Sequence, residues 1–131
     1  MQDSIFTKII KGEIPCEKIY EDEKTVAFLD IHPIVPGHTL VVPRVQVDQF
    51  TDLAPEDYIA LWQTVQKVAN RLKEQLGSVR ACVRVEGFDV PHAHVHVYPC
   101  ETAEDFYGDG QRLQKDPDHA ALADMAAKLA F

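Results

Sequence analysis

Apolar and polar positions change their spacing several times along this chain, and each change marks an element. Ile5, Phe6, Ile9 and Ile10 recur at helical steps just after Ser4. That pattern predicts a short helix over residues 5–11, with Ser4 as N-cap and Gly12 as its stop. Residues 17–21 and 25–30 hold β-branched and aromatic residues and are joined by the polar Glu21-Asp22-Glu23-Lys24, so they read as two strands. Residues 31–37 contain two prolines and a glycine and form a rigid loop. The run His38-Thr39-Leu40-Val41-Val42-Pro43 then reads as a buried strand.

The longest periodic stretch is Ile59, Trp62, Val65, Ala69, Leu72 and Leu76, at three- and four-residue steps. It predicts a long helix opened by Thr51 or Asp52, with Pro55 in the first turn and Gly77 as terminator. Val79, Ala81, Val83 and Val85 alternate with Arg80, Cys82, Arg84 and Glu86, the pattern of a half-exposed strand. Residues 117–129 form a final amphipathic helix, capped by Asp116, with Leu122, Met125, Ala126 and Leu129 as its stripe. Strands grouped together and flanked by separate helices imply an α+β fold with an antiparallel sheet, its last two strands a hairpin.

Between those last two helices lies the most informative run, Pro91-His92-Ala93-His94-Val95-His96-Val97-Tyr98-Pro99. In an extended chain, side chains alternate faces, so His92, His94 and His96 share one face over about 13 Å of strand. Ala93, Val95 and Val97 point the other way, toward a core. A single histidine is usually a surface or hydrogen-bonded structural residue, but burying three unmatched imidazoles is costly. Two chemistries suit such a row: metal ligation, or a nucleophilic imidazole whose neighbours orient it and donate to an anion. No HExxH and no ligand-spaced cysteines accompany the row, which favours the nucleophile.

Composition narrows the partners. A chain of 131 residues suits one domain with one core. Thirteen Lys and Arg against twenty-one Asp and Glu give a net charge of -8, which argues against polymeric nucleic acid and anionic membranes but leaves room for a small anion. No apolar stretch is long enough to span a bilayer and no signal-peptide core is seen. Cys16, Cys82 and Cys100 form no CxxC and read as reduced thiols, so the expected location is cytoplasmic.

With these residues in view, the chain resembles the histidine triad (HIT) family of nucleotide hydrolases and transferases. The resemblance rests on four ordered segments within residues 4–100: residues 5–15, Ala27-Phe28-Leu29-Asp30-Ile31, Pro36-Gly37-His38-Thr39-Leu40-Val41-Val42-Pro43, and the His92–Tyr98 run. It implies a single HIT domain over residues 1–131, with residues 101–131 as a variable C-terminal extension bearing a helix. It implies an α+β HIT-like fold: a five-stranded antiparallel sheet with one long and one or two shorter helices, paired across a homodimer. It implies attack on the α-phosphate of a nucleoside phosphoramidate or dinucleoside polyphosphate through a nucleotidyl-histidine, with no metal and no cofactor. A nucleotide-binding scaffold with little catalysis and a strand-based metal site are the alternatives.

By the same resemblance His94 is the nucleophile, His96 donates to a phosphate oxygen and His92 helps position the site. Asp30 corresponds to the carboxylate that binds the ribose hydroxyls, a role its two acceptor oxygens suit. Ile5, Phe6, Ile9, Ile14, Phe28 and Ile31 would wall the base pocket. His38 is either a pocket wall or only a strand-start histidine. At pH 7 an ordinary imidazole is mostly neutral, and His94 needs an acceptor for Nδ1–H, such as a backbone carbonyl, to leave Nε2 its lone pair.

Two departures stand out. Many bacterial members bind structural zinc through two N-terminal cysteines, the first triad histidine and a later histidine; here three of those positions are Ser4, Thr7 and Gln46. The turn before the triad is also short. Gly87 can let its backbone approach a phosphate. Asp89 stands where a hydroxyl donor is expected. An ionised Asp89 donates no proton, so it points away, or is protonated, or the proton comes from water or another histidine.

Overall fold

Strands β1 (Lys18–Glu21), β2 (Thr25–Leu29), β3 (Thr39–Pro43), β4 (Arg80–Arg84) and β5 (Val95–Cys100) form one antiparallel sheet in the order β1-β2-β3-β5-β4. The computed structural model describes residues 2–107 and 116–131. Both faces of the sheet are covered. On one face Ala27, Leu29, Val41, Val95 and Val97 meet Leu61, Val65, Val68 and Leu72 of helix α2 (Pro55–Leu76), and Leu122, Ala126 and Leu129 of the C-terminal helix. On the other face Val26, Phe28, Leu40 and Val42 meet Phe6 of helix α1 (Ile5–Ile10). Burial on both sides explains why β2 and β3 are buried at every position and show no polar alternation in the sequence.

The α+β, five-stranded antiparallel architecture agrees with the sequence reading, as does the pairing of β4 with β5. Element ends differ for local reasons. Helix α1 is capped by Ser4, whose Oγ accepts from the Thr7 N–H at 3.0 Å. Helix α2 opens at Pro55, not at Thr51 or Asp52. The residue before a proline is driven out of the helical region, and Ala54 sits at φ -60°, ψ 149°. Thr51 and Asp52 belong instead to a separate 3₁₀ turn, Phe50–Asp52. Gly77 ends α2 in the left-handed region at φ 66°, its N–H bonded to the Lys73 carbonyl at 2.9 Å.

Two further helices complete the chain. A short helix α3, Ala103–Tyr107, follows β5 and was not anticipated. Helix α4 spans His119–Leu129 and is capped by Asp118, which accepts from Ala121 N–H at 3.0 Å; Asp116 lies outside it. The C-terminus is tied down as well. Phe131 N–H donates to the Ile19 carbonyl at 3.0 Å, and Arg71 donates to the Leu129 and Ala130 carbonyls at 2.8 Å each. Among the described residues no helix is long and apolar enough to cross a membrane.

The histidine row is only partly strand. Strand β5 begins at Val95, so His92 and His94 lie on an irregular extended approach to it. The backbone bonds show why: His92 N–H donates to Val90 O at 2.8 Å and Ala93 N–H to Val47 O at 2.7 Å, outside the sheet ladder. Ala93, Val95 and Val97 do enter the core, on the face covered by α2. Strand β4 is a sheet edge, and its flank is less covered than simple alternation suggests, with Val79 and Val83 exposed at 67% and 39%.

Candidate active site

The β3–β5 register sets Leu40 opposite His96, so His96 emerges on the face shared with Phe28 and away from α2. His94 lies beside it, the two rings 5.1 Å apart. Helix α1 lays Phe6 edge-on against His94 at 4.9 Å. These groups border a cavity of about 680 Å³ between α1, the loop after β2 and the β4–β5 turn.

Hydrogen bonds assign a role to each ring nitrogen, because a carbonyl only accepts and a backbone N–H only donates. His94 Nδ1 is 2.7 Å from the His92 carbonyl, so Nδ1 carries the proton and Nε2 keeps its lone pair. The Ile34 N–H donates to His38 Nδ1 at 3.1 Å, which puts the His38 proton on Nε2. That proton faces His96 Nδ1 at 2.9 Å, with Asp30 Oδ2 at 3.6 Å. His96 Nδ1 is therefore an acceptor and Nε2 bears the hydrogen. A chain of local bonds makes His94 a base and His96 a donor side by side. His38, left open between wall and strand-start residue, is the group that orients His96.

His92 does not line the cavity. It is fully buried against α1, with Nε2 donating to the Pro43 carbonyl at 2.8 Å and Nδ1 accepting from Ser4 Oγ at 2.7 Å. Burial, the larger effect, and the nearby His94 hold its pKa below the usual histidine range, against the Pro43 bond, which raises it. The positioning of His94 comes from the His92 backbone carbonyl rather than from the His92 ring.

The zinc positions implied by the resemblance come together around His92, but they do not fit the metal. Gln46 Oε1 accepts from Ser4 N–H at 2.7 Å and from Thr7 Oγ1 at 2.6 Å, and Thr7 Oγ1 lies 3.3 Å from His92 Nδ1. Two hydroxyls, one amide oxygen and one imidazole supply no thiolate, and their lone pairs and protons are spent on one another.

At its apolar end the cavity is walled by Ile5, Phe6, Ile9, Ile14, Phe28 and Ile31, the six residues expected of a base pocket. Leu40 and Cys16 join them, and neither was singled out from sequence. Burial pushes the Cys16 thiol up, which keeps it neutral. Asp30 is buried at the junction with the histidines, one oxygen held by the His32 N–H at 2.8 Å.

The opposite end is charged, with Arg84, Glu86 and Asp89 on the lining. Gly87, expected to approach a phosphate, does not line this cavity; it serves the turn itself at φ 80°, a conformation that favours glycine. Glu86 is the carboxylate the sequence reading passed over. Partial burial raises its pKa, but the N–H groups of Phe88 and Gly87, then His94 and His96, outweigh this and hold it below the ordinary range. Arg84, the cross-strand partner of His96, lays its guanidinium over the Phe106 ring at 5.0 Å and donates to the Phe106 carbonyl. Phe106 in turn stacks on Tyr98 of β5 at 6.1 Å.

Among the described residues two groups bring ligand-type atoms within 4.8 Å of one another, Asp30–His38–His96 and Glu86–His94–His96. In the first, the His38 proton occupies the His96 Nδ1 lone pair. In the second, His96 presents Nε2–H. Neither offers three lone pairs together, whereas a phosphate oxygen needs the hydrogen that His96 presents.

Comparison with known proteins gives the family and the fold. The HIT domain family model matches residues 11–103. An uncharacterized HIT-like protein of Methanocaldococcus jannaschii is 39% identical over 111 residues, covering 82% of each chain. The crystal structure of a HIT-like protein from Bartonella henselae superposes with a TM-score of 0.82 at 30% identity, covering 97% of this chain and 94% of that one. An adenylylsulfatase of Arabidopsis thaliana is 31% identical over 102 residues, 74% of this chain and 52% of its own.

Proposed function

The chain belongs to the histidine triad (HIT) family, and from that premise we propose that it binds nucleotides and transfers or hydrolyses them at the α-phosphate. The substrates are nucleoside phosphoramidates or dinucleoside polyphosphates, and the route is a nucleotidyl-histidine intermediate. One observation carries the proposal: the His94 Nδ1–H is held by the His92 carbonyl at 2.7 Å, beside a cavity of about 680 Å³. That leaves Nε2 of a neutral imidazole as an in-line nucleophile.

In the first step the His94 Nε2–phosphorus bond forms and the bond to the leaving group breaks, its electron pair going to the leaving atom. The His96 Nε2–H donates to a phosphoryl oxygen, where charge accumulates. In the second step water adds to phosphorus and loses a proton to solvent, the Nε2–phosphorus bond breaks, and its electron pair returns to His94. The base lies among the apolar residues around Phe6 and Phe28, and Asp30 accepts from the ribose hydroxyls. The Arabidopsis relative named an adenylylsulfatase supports hydrolysis as the activity class.

The family resemblance also suggests a homodimer. The uncovered edge of β4, with Val79 and Val83 exposed, supports pairing of that edge with a second copy. Light scattering at micromolar concentration tests it; a monomer would refute it.

The direct test of the activity is AMP release from adenosine 5′-phosphoramidate by the wild type and by His94→Ala. Release by the wild type alone is expected. Tight AMP binding with no release by either would point to a nucleotide-binding scaffold.

A further inference from the structure

The charged end of the cavity, lined by Arg84, Glu86 and Asp89, is where a leaving group would sit. An in-line attack puts the reacting phosphorus about 3 Å from His94 Nε2, with the leaving atom directly beyond it. A Glu86 oxygen lies within 4.8 Å of ring nitrogens of both His94 and His96, so the carboxylate borders that space. Glu86 Oε2 is anchored by the Phe88 N–H at 3.1 Å, so the turn holds the carboxylate in place. Asp89 adds a second acidic side chain on the same lining. Arg84, the one Lys or Arg on the lining among the described residues, is drawn toward Phe106, donating to its carbonyl and lying over its ring.

We infer that Glu86 is a specificity-determining residue that selects the charge of the leaving group, admitting amines that carry a positive charge and rejecting anionic groups such as sulfate or a phosphate chain. The inference rests on the proposed nucleotidyl transfer at His94 and narrows its two substrate classes to the phosphoramidates. Repulsion between Glu86 and the α-phosphate is common to every substrate and cancels in a comparison; the charge beyond the phosphate does not. With its pKa held below the ordinary range, Glu86 acts as an anion and acceptor, not as the acid of the reaction. For a phosphoramidate, the bridging nitrogen takes a proton from solvent and Glu86 stabilises the cation formed. The phosphorus–nitrogen bond then breaks as the His94 bond forms, and the amine departs neutral. A sulfate or polyphosphate group gains nothing from this arrangement and meets like charge.

The test uses two adenosine 5′-phosphoramidates with the same scissile bond, one made from ethylenediamine and ending in an ammonium, one from β-alanine and ending in a carboxylate. The wild type is expected to favour the ammonium substrate by about five-fold in kcat/KM, the scale of one charge near an exposed carboxylate. Glu86→Gln keeps an acceptor for Phe88 and should bring the ratio near one; Glu86→Lys should invert it. A wild-type ratio near one, or a ratio unchanged in Glu86→Gln, overturns the inference. Dissociation constants for the same pair on His94→Ala, with and without Glu86→Gln, need no turnover. A preference there that Glu86→Gln abolishes supports Glu86 even if the wild type cleaves neither substrate, a result that would count against the hydrolase reading alone. Equal affinities on His94→Ala overturn the inference.

Discussion

The Nε2 of His38 stands 2.9 Å from Nδ1 of His96, and both rings are buried. Because the Ile34 N–H already donates to the far side of His38, that 2.9 Å bond runs one way, from His38 to His96. It fixes the hydrogen of His96 on Nε2, the nitrogen proposed to meet the phosphate. Loss of this donor should let His96 adopt either tautomer. His38→Ala is therefore expected to lower kcat by about ten- to a hundred-fold, less than removal of a direct oxyanion donor, with little change in AMP affinity. His38→Gln, whose amide N–H can reach the same acceptor, should restore part of the rate. A fall in AMP affinity as large as the fall in kcat would show that His38 serves only the pocket wall.

His94→Ala should abolish nucleotidyl transfer while AMP still binds, since the residues proposed to hold the base and ribose lie elsewhere in the cavity. Rapid quenching followed by mass spectrometry of the wild type should trap a nucleotide on His94. Transfer activity comparable to wild type in the variant would remove His94 as the nucleophile.

Asp30 has one oxygen held by the His32 N–H, and on the proposed reading its carboxylate accepts from the ribose. Asp30→Ala should weaken AMP binding by about ten- to a hundred-fold, the worth of one or two hydrogen bonds to a charged group. In the wild type, 2′,3′-dideoxy-AMP should show a similar loss. The variant should no longer distinguish the two ligands. If calorimetry finds the same discrimination in both proteins, Asp30 does not read the ribose.

His92 links folding to pH. Its pKa is lowered in the folded protein, mainly by burial, so below the unfolded value of about 6.5 the unfolded chain binds more protons. Its contribution to stability is complete above that value and is lost as pH falls through 6.5 toward the lower folded value. The slope reaches at most about 1.4 kcal/mol per pH unit within the window. Urea titrations of wild type and His92→Gln between pH 5 and 8 should show this slope in the difference between them. A flat difference would mean that His92 ionises alike in both states.

The same ring depends on Ser4, which both caps α1 and donates to His92 Nδ1. Ser4→Ala should destabilise by about 1–3 kcal/mol, from the lost cap and an imidazole nitrogen left without its partner. Denaturant unfolding measures it. A cost below a few tenths of a kcal/mol would mean that Thr7 or water replaces the hydroxyl.

Much of this protein was legible in its sequence. Helical spacing at Ile5–Ile10 and Ile59–Leu76, a two-residue period at Val95 and Val97, and Pro or Gly at the breaks each follow from local backbone geometry, so a string of residues suffices to read them. The four ordered segments made the HIT resemblance, and the six apolar residues of the cavity wall were named from it. What escaped were relations between distant positions. His38 and His96 are 58 residues apart, and only the β3–β5 register makes one orient the other. His92 left the row of three because its own N–H bonds to Val90, the next N–H, that of Ala93, bonds to Val47, and its side chain turns to α1, a packing choice no spacing rule contains. Glu86 read as the polar phase of a strand, yet β4 ends at Arg84, and the turn beyond it brings the carboxylate to His94 and His96. Residue types and spacings thus determined which chemistry the chain could host. Which nitrogen carries a proton, and which charge stands beside it, was decided by tertiary hydrogen bonds, because protonation and field depend on neighbours in space rather than in sequence.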